Sequence, residues 1–136
     1  MWIEHLQNPE TIKAIYHSDL PELNEIELTE IKIEFGEDLQ CSLKFNLRML
    51  PDKLPKKWEE RKVSLVQIDL LLISIKIKQF STEKFNFVGN LKITASESVK
   101  TIQFESKGIP FFTINASWIY ARSISGHTTD IESFKY

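Results

Sequence analysis

The sequence predicts an α+β protein in which an N-terminal helix packs on a mainly antiparallel, roughly six-stranded twisted sheet. Near the N-terminus, apolar residues recur at helical spacing, at Ile12, Ile15 and Tyr16. From residue 26 to residue 121, apolar and polar residues instead alternate in one segment after another, as they do in half-buried strands. Turn residues separate these segments at short intervals, which favours an antiparallel meander.

The length and composition are those of one globular domain. The chain has 136 residues, of which 42% are hydrophobic and 26% charged, so it can bury a core without a metal or a disulfide. We therefore expect a single domain over residues 1–136, with a tail at 122–136 that has no clear pattern and frays. The sequence has neither a secretory signal nor a membrane-spanning run, so we expect a cytoplasmic protein that does not bind membranes.

The helix is expected to begin at Asn8-Pro9. Asparagine can cap the free backbone N–H groups of a first turn, and proline has a backbone angle that already suits it. The apolar face of this helix should pack on the sheet. Pro21 then ends the helical section.

A hairpin is expected after the helix. Ile26 and Leu28 alternate with polar residues, and the alternation resumes one residue late at Ile31, which predicts a bulge near Thr29. A turn at residues 36–38 leads into a strand with five apolar positions on one face: Leu39, Cys41, Leu43, Phe45 and Leu47. The lone cysteine among them is interpreted as a buried small hydrophobic residue.

The rest of the chain predicts a long loop and four more strands. The loop is residues 48–62, here called the basic loop, which contains two prolines and Trp58. Residues 63–80 are apolar on both faces, as in a central strand. Shorter strands are expected at 85–94, 99–105 and 111–121. The last of them should place five residues on one face: Phe112, Ile114, Ala116, Trp118 and Tyr120.

Charge is distributed unevenly along the chain. Residues 22–38 hold seven acidic side chains and one basic one, a net charge of −6, whereas residues 44–62 hold seven basic and three acidic ones, a net charge of +4. The whole chain carries −2, which argues against a nucleic-acid-binding protein. The acidic segment predicts a partner-binding surface, here called the acidic ribbon: Glu25, Glu27, Glu30, Glu34, Glu37 and Asp38. The alternative interpretation is the solvated side of an edge hairpin.

The sequence contains no pattern typical of a catalytic, metal or cofactor site. Its four glycines are isolated, so they cannot form a phosphate-binding loop, and its three histidines lack metal-ligand spacing. Asp69 lies in the middle of an apolar strand and marks either a face that opens to solvent or a buried functional acid. Trp58 is the candidate anchor of the basic loop, either folded back onto the sheet or protruding as an interface residue.

Three kinds of function agree with these features. The first is a non-catalytic protein that binds another protein through the acidic ribbon. The second is a small nucleic-acid-binding domain that uses the basic loop and Trp58. The third is a small-ligand pocket protein with Asp69 inside the pocket.

Several short motifs occur in order along the chain: Trp2 and Leu6 before Asn8-Pro9, Ile12-x-x-Ile15-Tyr16, Pro21-x-Leu23, Pro51-x-x-x-Pro55-x-x-Trp58 and Val66-x-Ile68-x-Leu70. Together, over residues 2–124, they resemble the immunity protein 50 family, whose members are encoded next to bacterial polymorphic toxins. The resemblance implies an α+β protein without catalysis of its own that binds and inhibits a cognate toxin. It also implies a glycine soon after the helix tyrosine, where this chain has His17-Ser18-Asp19-Leu20.

Overall fold

The computed structural model describes residues 1–128, and the dominant feature of this region is one antiparallel sheet. Strands hold 52% of the described residues and helices 12%. The described residues form eight strands: β1 (Ile26–Glu34), β2 (Gln40–Leu47), β3 (Leu65–Ile73), β4 (Lys76–Phe80), β5 (Val88–Ser96), β6 (Val99–Ser106), β7 (Ile109–Ala116) and β8 (Trp118–His127). Their order in the sheet is β4-β7-β6-β5-β1-β2-β3-β8.

The expected α+β class with roughly six strands is therefore wrong. Two segments predicted as single strands are each divided by a bend. Residues 63–80 divide at Ser74, whose φ of 55° is left-handed, and residues 111–121 divide at Ser117. The Ser117 N–H donates to the Ile73 carbonyl at 3.0 Å, so the two bends lie side by side. The sheet gains two strands, and the N-terminal helix has only seven residues.

The sheet consists of two halves joined by a short pairing. Strands β1 and β5 pair only at Ile26 with Gly89 and at Glu27 with Val88. One half contains β1, β2, β3 and β8, and the other contains β4 to β7. Strands β6 and β8 belong to different halves and nevertheless contact each other. The sheet is therefore folded over, and the inner faces of both halves contribute to one hydrophobic core.

The N-terminal segment covers the free edge of β8. It comprises a 3₁₀ turn at Trp2–His5 and the helix α1 at Glu10–Tyr16. The Gln7 N–H donates to the Ile119 carbonyl at 2.8 Å, and the Asn8 side chain exchanges two hydrogen bonds of 2.8 Å with the backbone of Ala121. Asn8 thus satisfies an exposed strand edge as a neighbouring strand would. It does not cap the helix as predicted, because Pro9 is the N-cap and no side chain caps it.

The hairpin of β1 and β2 confirms the sequence pattern. Its register shifts between Leu28 and Glu30, which is the predicted bulge. The Thr29 hydroxyl, at the bulge, donates to the Lys44 carbonyl at 3.1 Å. Cys41 is fully buried in β2, as predicted. The inner face of this hairpin therefore belongs to the core, and its outer face points away from it.

The basic loop and the chain end differ from their predictions. The basic loop contains a five-residue helical turn, α2, at Lys56–Glu60. The predicted start of the frayed tail at residue 122 is wrong, because β8 continues to His127. Residues 129–136 lie outside the described part of the chain. No helix within residues 1–128 has the length and apolar character needed to cross a membrane.

Candidate functional site

The outer face of β1, β2, β3 and β8, here called the open face, is accessible to solvent. Directly paired residues point to the same side of a sheet, so the pairing defines which side chains share this face. They form four rows across the four strands: Glu34, Gln40, Ile73 and Trp118; Lys32, Ser42, Leu71 and Tyr120; Glu30, Lys44, Asp69 and Ser123; Glu27, Asn46, Gln67 and Ser125.

Strand β8 contributes three alternate side chains to this face. Trp118 and Tyr120 are 45% and 37% exposed, and Arg122 follows them at the same two-residue spacing. The prediction that Trp118 and Tyr120 lie on one face with Phe112 is wrong, because the bend at Ser117 shifts the alternation by one residue. Ile119 points inward instead and is fully buried.

An apolar patch lies where β8 meets β3. We use this name for Leu71, Ile73, Trp118 and Tyr120. Leu71 pairs with Tyr120, and Ile73 pairs with Trp118, so the four side chains form a two-by-two block. Directly opposed side chains have Cβ atoms about 5 Å apart, which makes the block contiguous. Contiguous exposed apolar surface that includes Trp and Tyr is typical of protein-binding sites.

Asp69 and Arg122 form an ion pair beside the patch. Arg122 is the extra residue of a bulge opposite β3, between Ser123 and Ala121. Its guanidinium contacts both carboxylate oxygens of Asp69, at 3.1 and 3.3 Å, and donates to the Ser42 hydroxyl at 2.6 Å. Asp69 is only 6% exposed because Arg122 covers it, so the expectation that the face opens to solvent at this position is wrong, and the carboxylate is buried and paired.

Three acids of the acidic ribbon reach the open face, and each lies beside a base. Glu30 is 3.3 Å from the Lys44 ammonium, and Glu34 is 3.6 Å from that of Lys32. Glu27 lies 4.0 Å from the Arg48 guanidinium and accepts a hydrogen bond of 3.1 Å from Asn46. The negative charge of this stretch of sequence is therefore partly balanced by bases from β1 itself, from β2 and from the residue that follows β2.

The other three acids of the ribbon lie elsewhere. Glu25 precedes β1, and its N–H donates to the Asn90 side chain at 2.9 Å on the β5 side. Asn90 also donates to Glu105 at 2.8 Å, which lowers the pKa of that carboxyl. Glu37 and Asp38 lie in the turn between β1 and β2. They line a shallow cavity of about 270 Å³ together with Glu34, Phe35, Gly36 and Gln40.

Trp58 lies against the end of β8. It is 9% exposed, and its indole is so close to Gly126 that an added Cβ there would be 2.8 Å from it. The same Cβ would be 2.8 Å from Val63, and the Arg61 guanidinium donates to the Gly126 carbonyl at 3.0 Å. These contacts hold the basic loop on the sheet. The buried indole is not positioned to stack on a nucleic-acid base.

The described residues offer no group suited to metal binding or to thiol chemistry. Within residues 1–128, no three His, Cys, Asp or Glu side chains are arranged to hold a metal ion. Burial raises the pKa of the Cys41 thiol from 9.0 to about 12, so the thiol stays protonated at neutral pH. The open face can therefore provide contact surface, hydrogen bonds and charge.

A model of the family described as immunity protein 50 matches residues 8–127 of the chain. The chain belongs to the immunity protein 50 family. The match includes all eight strands of the sheet and thus the whole open face. No curated protein and no solved structure shows significant similarity to the chain.

Membership of the immunity protein 50 family establishes the general kind of function. The chain is an immunity protein, and the partner of such a protein is in general a toxin. The family is generally non-enzymatic, which agrees with an open face that consists of contact residues. Trp118, Tyr120 and Arg122 were missed as site residues from the sequence. The sequence does contain a signal for them. Trp118, Tyr120 and Arg122 occupy alternate positions, and an arginine is rarely found on the buried face of a strand.

Proposed function

We propose that this protein binds a cognate toxin of a bacterial polymorphic toxin system in the cytoplasm and inhibits it by direct contact. The observation that supports this proposal is the row of Trp118, Tyr120 and Arg122 on an uncovered face of the sheet. These three residue types dominate the energetic centres of protein interfaces. In an immunity protein, such a row is best explained by a protein partner.

The acidic ribbon is proposed as part of the surface that faces the toxin. Glu27, Glu30 and Glu34 lie on the open face, in the same rows as the residues of β3 and β8. Many toxins act on nucleic acids and are basic where they hold phosphates, so carboxylates can occupy that surface. Inhibition is then steric and electrostatic, and it needs no cofactor, metal or covalent step. Complementary charge mainly accelerates encounter.

The two alternative functions have less support. A nucleic-acid-binding role for the basic loop relied on Trp58, which is buried against Gly126. A ligand pocket around Asp69 relied on a free carboxylate, and the carboxylate of Asp69 is occupied by Arg122. The exposed aromatic side chains Trp118 and Tyr120 instead lie beside Ile73 and Leu71, away from the basic loop, where they form an apolar contact surface.

Co-expression tests the proposal. The protein is produced together with the product of the gene immediately upstream of it, with an unrelated protein of similar size as the control. We expect the toxicity of that product to disappear and a complex to co-purify. The proposal is wrong if no product of a neighbouring gene is neutralised or bound. Salt-dependent binding to generic DNA or RNA would favour the nucleic-acid alternative.

A further inference from the structure

We infer that the toxin docks on the apolar patch of the open face and on the hairpin end next to that face, and that its docking surface carries basic side chains around an apolar one. The hairpin end is Glu34, Phe35, Glu37 and Asp38. This inference rests on the proposed function and specifies the contact surface and the chemistry of the partner.

The apolar patch and the hairpin end are close enough for one partner to cover both. Glu34, Gln40, Ile73 and Trp118 form one row across four adjacent strands. Strands are spaced about 4.8 Å apart, so Trp118 lies about 15 Å from the strand that carries Glu34. A standard interface covers about 800 Å² on each partner, which is wide enough to include both ends of this row.

Among the described residues, two of the three carboxylates of the hairpin end have no basic partner, whereas the third, Glu34, lies 3.6 Å from the Lys32 ammonium. Within residues 1–128, neither Glu37 nor Asp38 forms an ion pair or a side-chain hydrogen bond. Glu27 and Glu30, by contrast, already have partners. A basic side chain of the toxin thus gains most at the turn, where it meets carboxylates that no base within residues 1–128 neutralises.

The hairpin end also exposes an aromatic ring. Phe35 is 88% exposed, the highest value among the large apolar residues of the described chain. An exposed ring at the tip of a hairpin, flanked by acidic residues, is complementary to a partner surface in which basic side chains surround an apolar one. Phe35 thus adds exposed aromatic surface at the turn that follows Glu34, and the carboxylates form the polar rim.

Arg122 is fixed before the partner arrives. Its bonds to both oxygens of Asp69 and to Ser42 hold the guanidinium over the sheet. The side chain is 44% exposed, so one surface of the guanidinium remains available beside Tyr120. A group already held in place loses little conformational freedom on binding, which favours the open face as a docking surface.

Alanine substitutions test the position of the interface on the complex obtained by co-expression. Phe35→Ala and Trp118→Ala remove aromatic side chains from the proposed surface. Phe87→Ala is the matched control, because Phe87 is exposed to 64% but lies beside Leu28, at the opposite end of β1 from the hairpin end. We expect the first two to raise Kd at least about tenfold, mainly through faster dissociation, and the control to change it less than about twofold.

Charge reversal tests the chemistry of the partner. The pair Glu37→Lys and Asp38→Lys is compared with Glu83→Lys and Glu97→Lys, which are exposed acids in other loops and produce the same change in net charge. We expect the first pair to slow association and to flatten its dependence on salt more than the second pair does.

The outcomes separate this inference from the proposed function. If the wild-type protein binds no neighbouring toxin, both are wrong. If the wild-type protein binds while Phe35→Ala and Trp118→Ala bind equally well, the function stands and the docking surface is wrong. Phe35→Ala changes a side chain with almost no contacts, so its folding is expected to be unchanged in a thermal melt.

Discussion

At the scale of single residues, the open face depends on one buried charge. Asp69 would be costly in a strand of apolar residues if it had no partner, since a desolvated carboxylate loses its hydration. The bulge in β8 brings Arg122 over it and allows two hydrogen bonds to the carboxylate. The pair thus lets a charged group lie next to the apolar patch and fixes the position of the guanidinium.

Removing Asp69 and Arg122 together is expected to cost less stability than the two single changes added together. Arg122→Ala leaves Asp69 without its ionic partner, and we expect the free energy of unfolding to fall by about 2 kcal/mol, below the value for fully buried pairs because Arg122 is half exposed and its removal lets water reach the carboxylate. In the double variant with Asp69→Asn, the loss should be smaller than the sum of the two single losses by about 1 kcal/mol. Denaturant unfolding measures all three, and strictly additive losses would contradict the coupling.

His17 occupies a conformation that favours glycine. Its φ of 57° and ψ of −119° follow the end of α1, at the place where the family resemblance implies a glycine. We expect His17→Gly to raise the free energy of unfolding by about 1 kcal/mol, because strain in a side-chain-bearing residue is released. Ser18→Gly is the control, since Ser18 has no positive φ, and it should not stabilise. Equal effects of the two changes would show that His17 is not strained.

The buried thiol of Cys41 makes stability depend on alkaline pH. Its pKa is raised from 9.0 to about 12 by burial, so the unfolded chain releases this proton at lower pH than the folded protein does. Stability is therefore fully present below about pH 9 and decreases between about pH 9 and 12. Burial also raises the pKa of Tyr16, which acts in the same direction. We expect Cys41→Ala to have a shallower alkaline decrease in denaturant unfolding, and an unchanged decrease would contradict the assignment.

At the scale of elements, the basic loop is held on β8 by the Trp58 indole and by the hydrogen bond from Arg61 to the Gly126 carbonyl. Trp58 lies over Gly126, where only a residue without a side chain leaves room for the indole. We expect Trp58→Ala to lower the free energy of unfolding by about 3 kcal/mol or more, and Gly126→Ala by about 1 to 3 kcal/mol through the clash. Denaturant unfolding measures both changes. Unchanged unfolding together with lost toxin binding would instead assign Trp58 to the interface.

Elements with a local signal were predictable, and the bends were not. The hairpin of β1 and β2 follows from alternation and a turn at residues 36–38, both of which are local. The bends at Ser74 and Ser117 lack glycine and proline, and the apolar pattern continues through them. They arise because each strand passes from one half of the folded-over sheet to the other, and this requirement is tertiary.

The site was only partly predictable for the same reason. The acidic ribbon was visible as a run of sequence, but the bases Lys44 and Arg48 that balance its acids come from the next strand and the residue after it. The pairing of Asn8 with Ala121 joins residues that are 113 positions apart, and no local pattern indicates it. The local sequence thus shows where the acidic residues are concentrated, whereas the tertiary structure determines which of them have a basic partner.

At the scale of the whole molecule, the inner and outer faces of the folded-over sheet have different roles. Its inner faces enclose one core that includes the N-terminal helix residues Ile12 and Tyr16. Its outer face on β1, β2, β3 and β8 remains free to present the apolar patch beside carboxylates. This division explains how a small protein of the immunity protein 50 family can be stable and still expose Trp118 and Tyr120.

Fluorine NMR of the protein labelled with 5-fluorotryptophan tests the central claim without changing a contact residue. The chain has three tryptophans, and Trp2 and Trp58 are buried while Trp118 is exposed. The three resonances are assigned with single Trp→Phe variants, and unlabelled toxin is then added. We expect the Trp118 resonance to shift and to lose its solvent isotope effect, while those of Trp2 and Trp58 stay in place. A toxin complex in which the Trp118 resonance is unchanged would contradict binding through the open face.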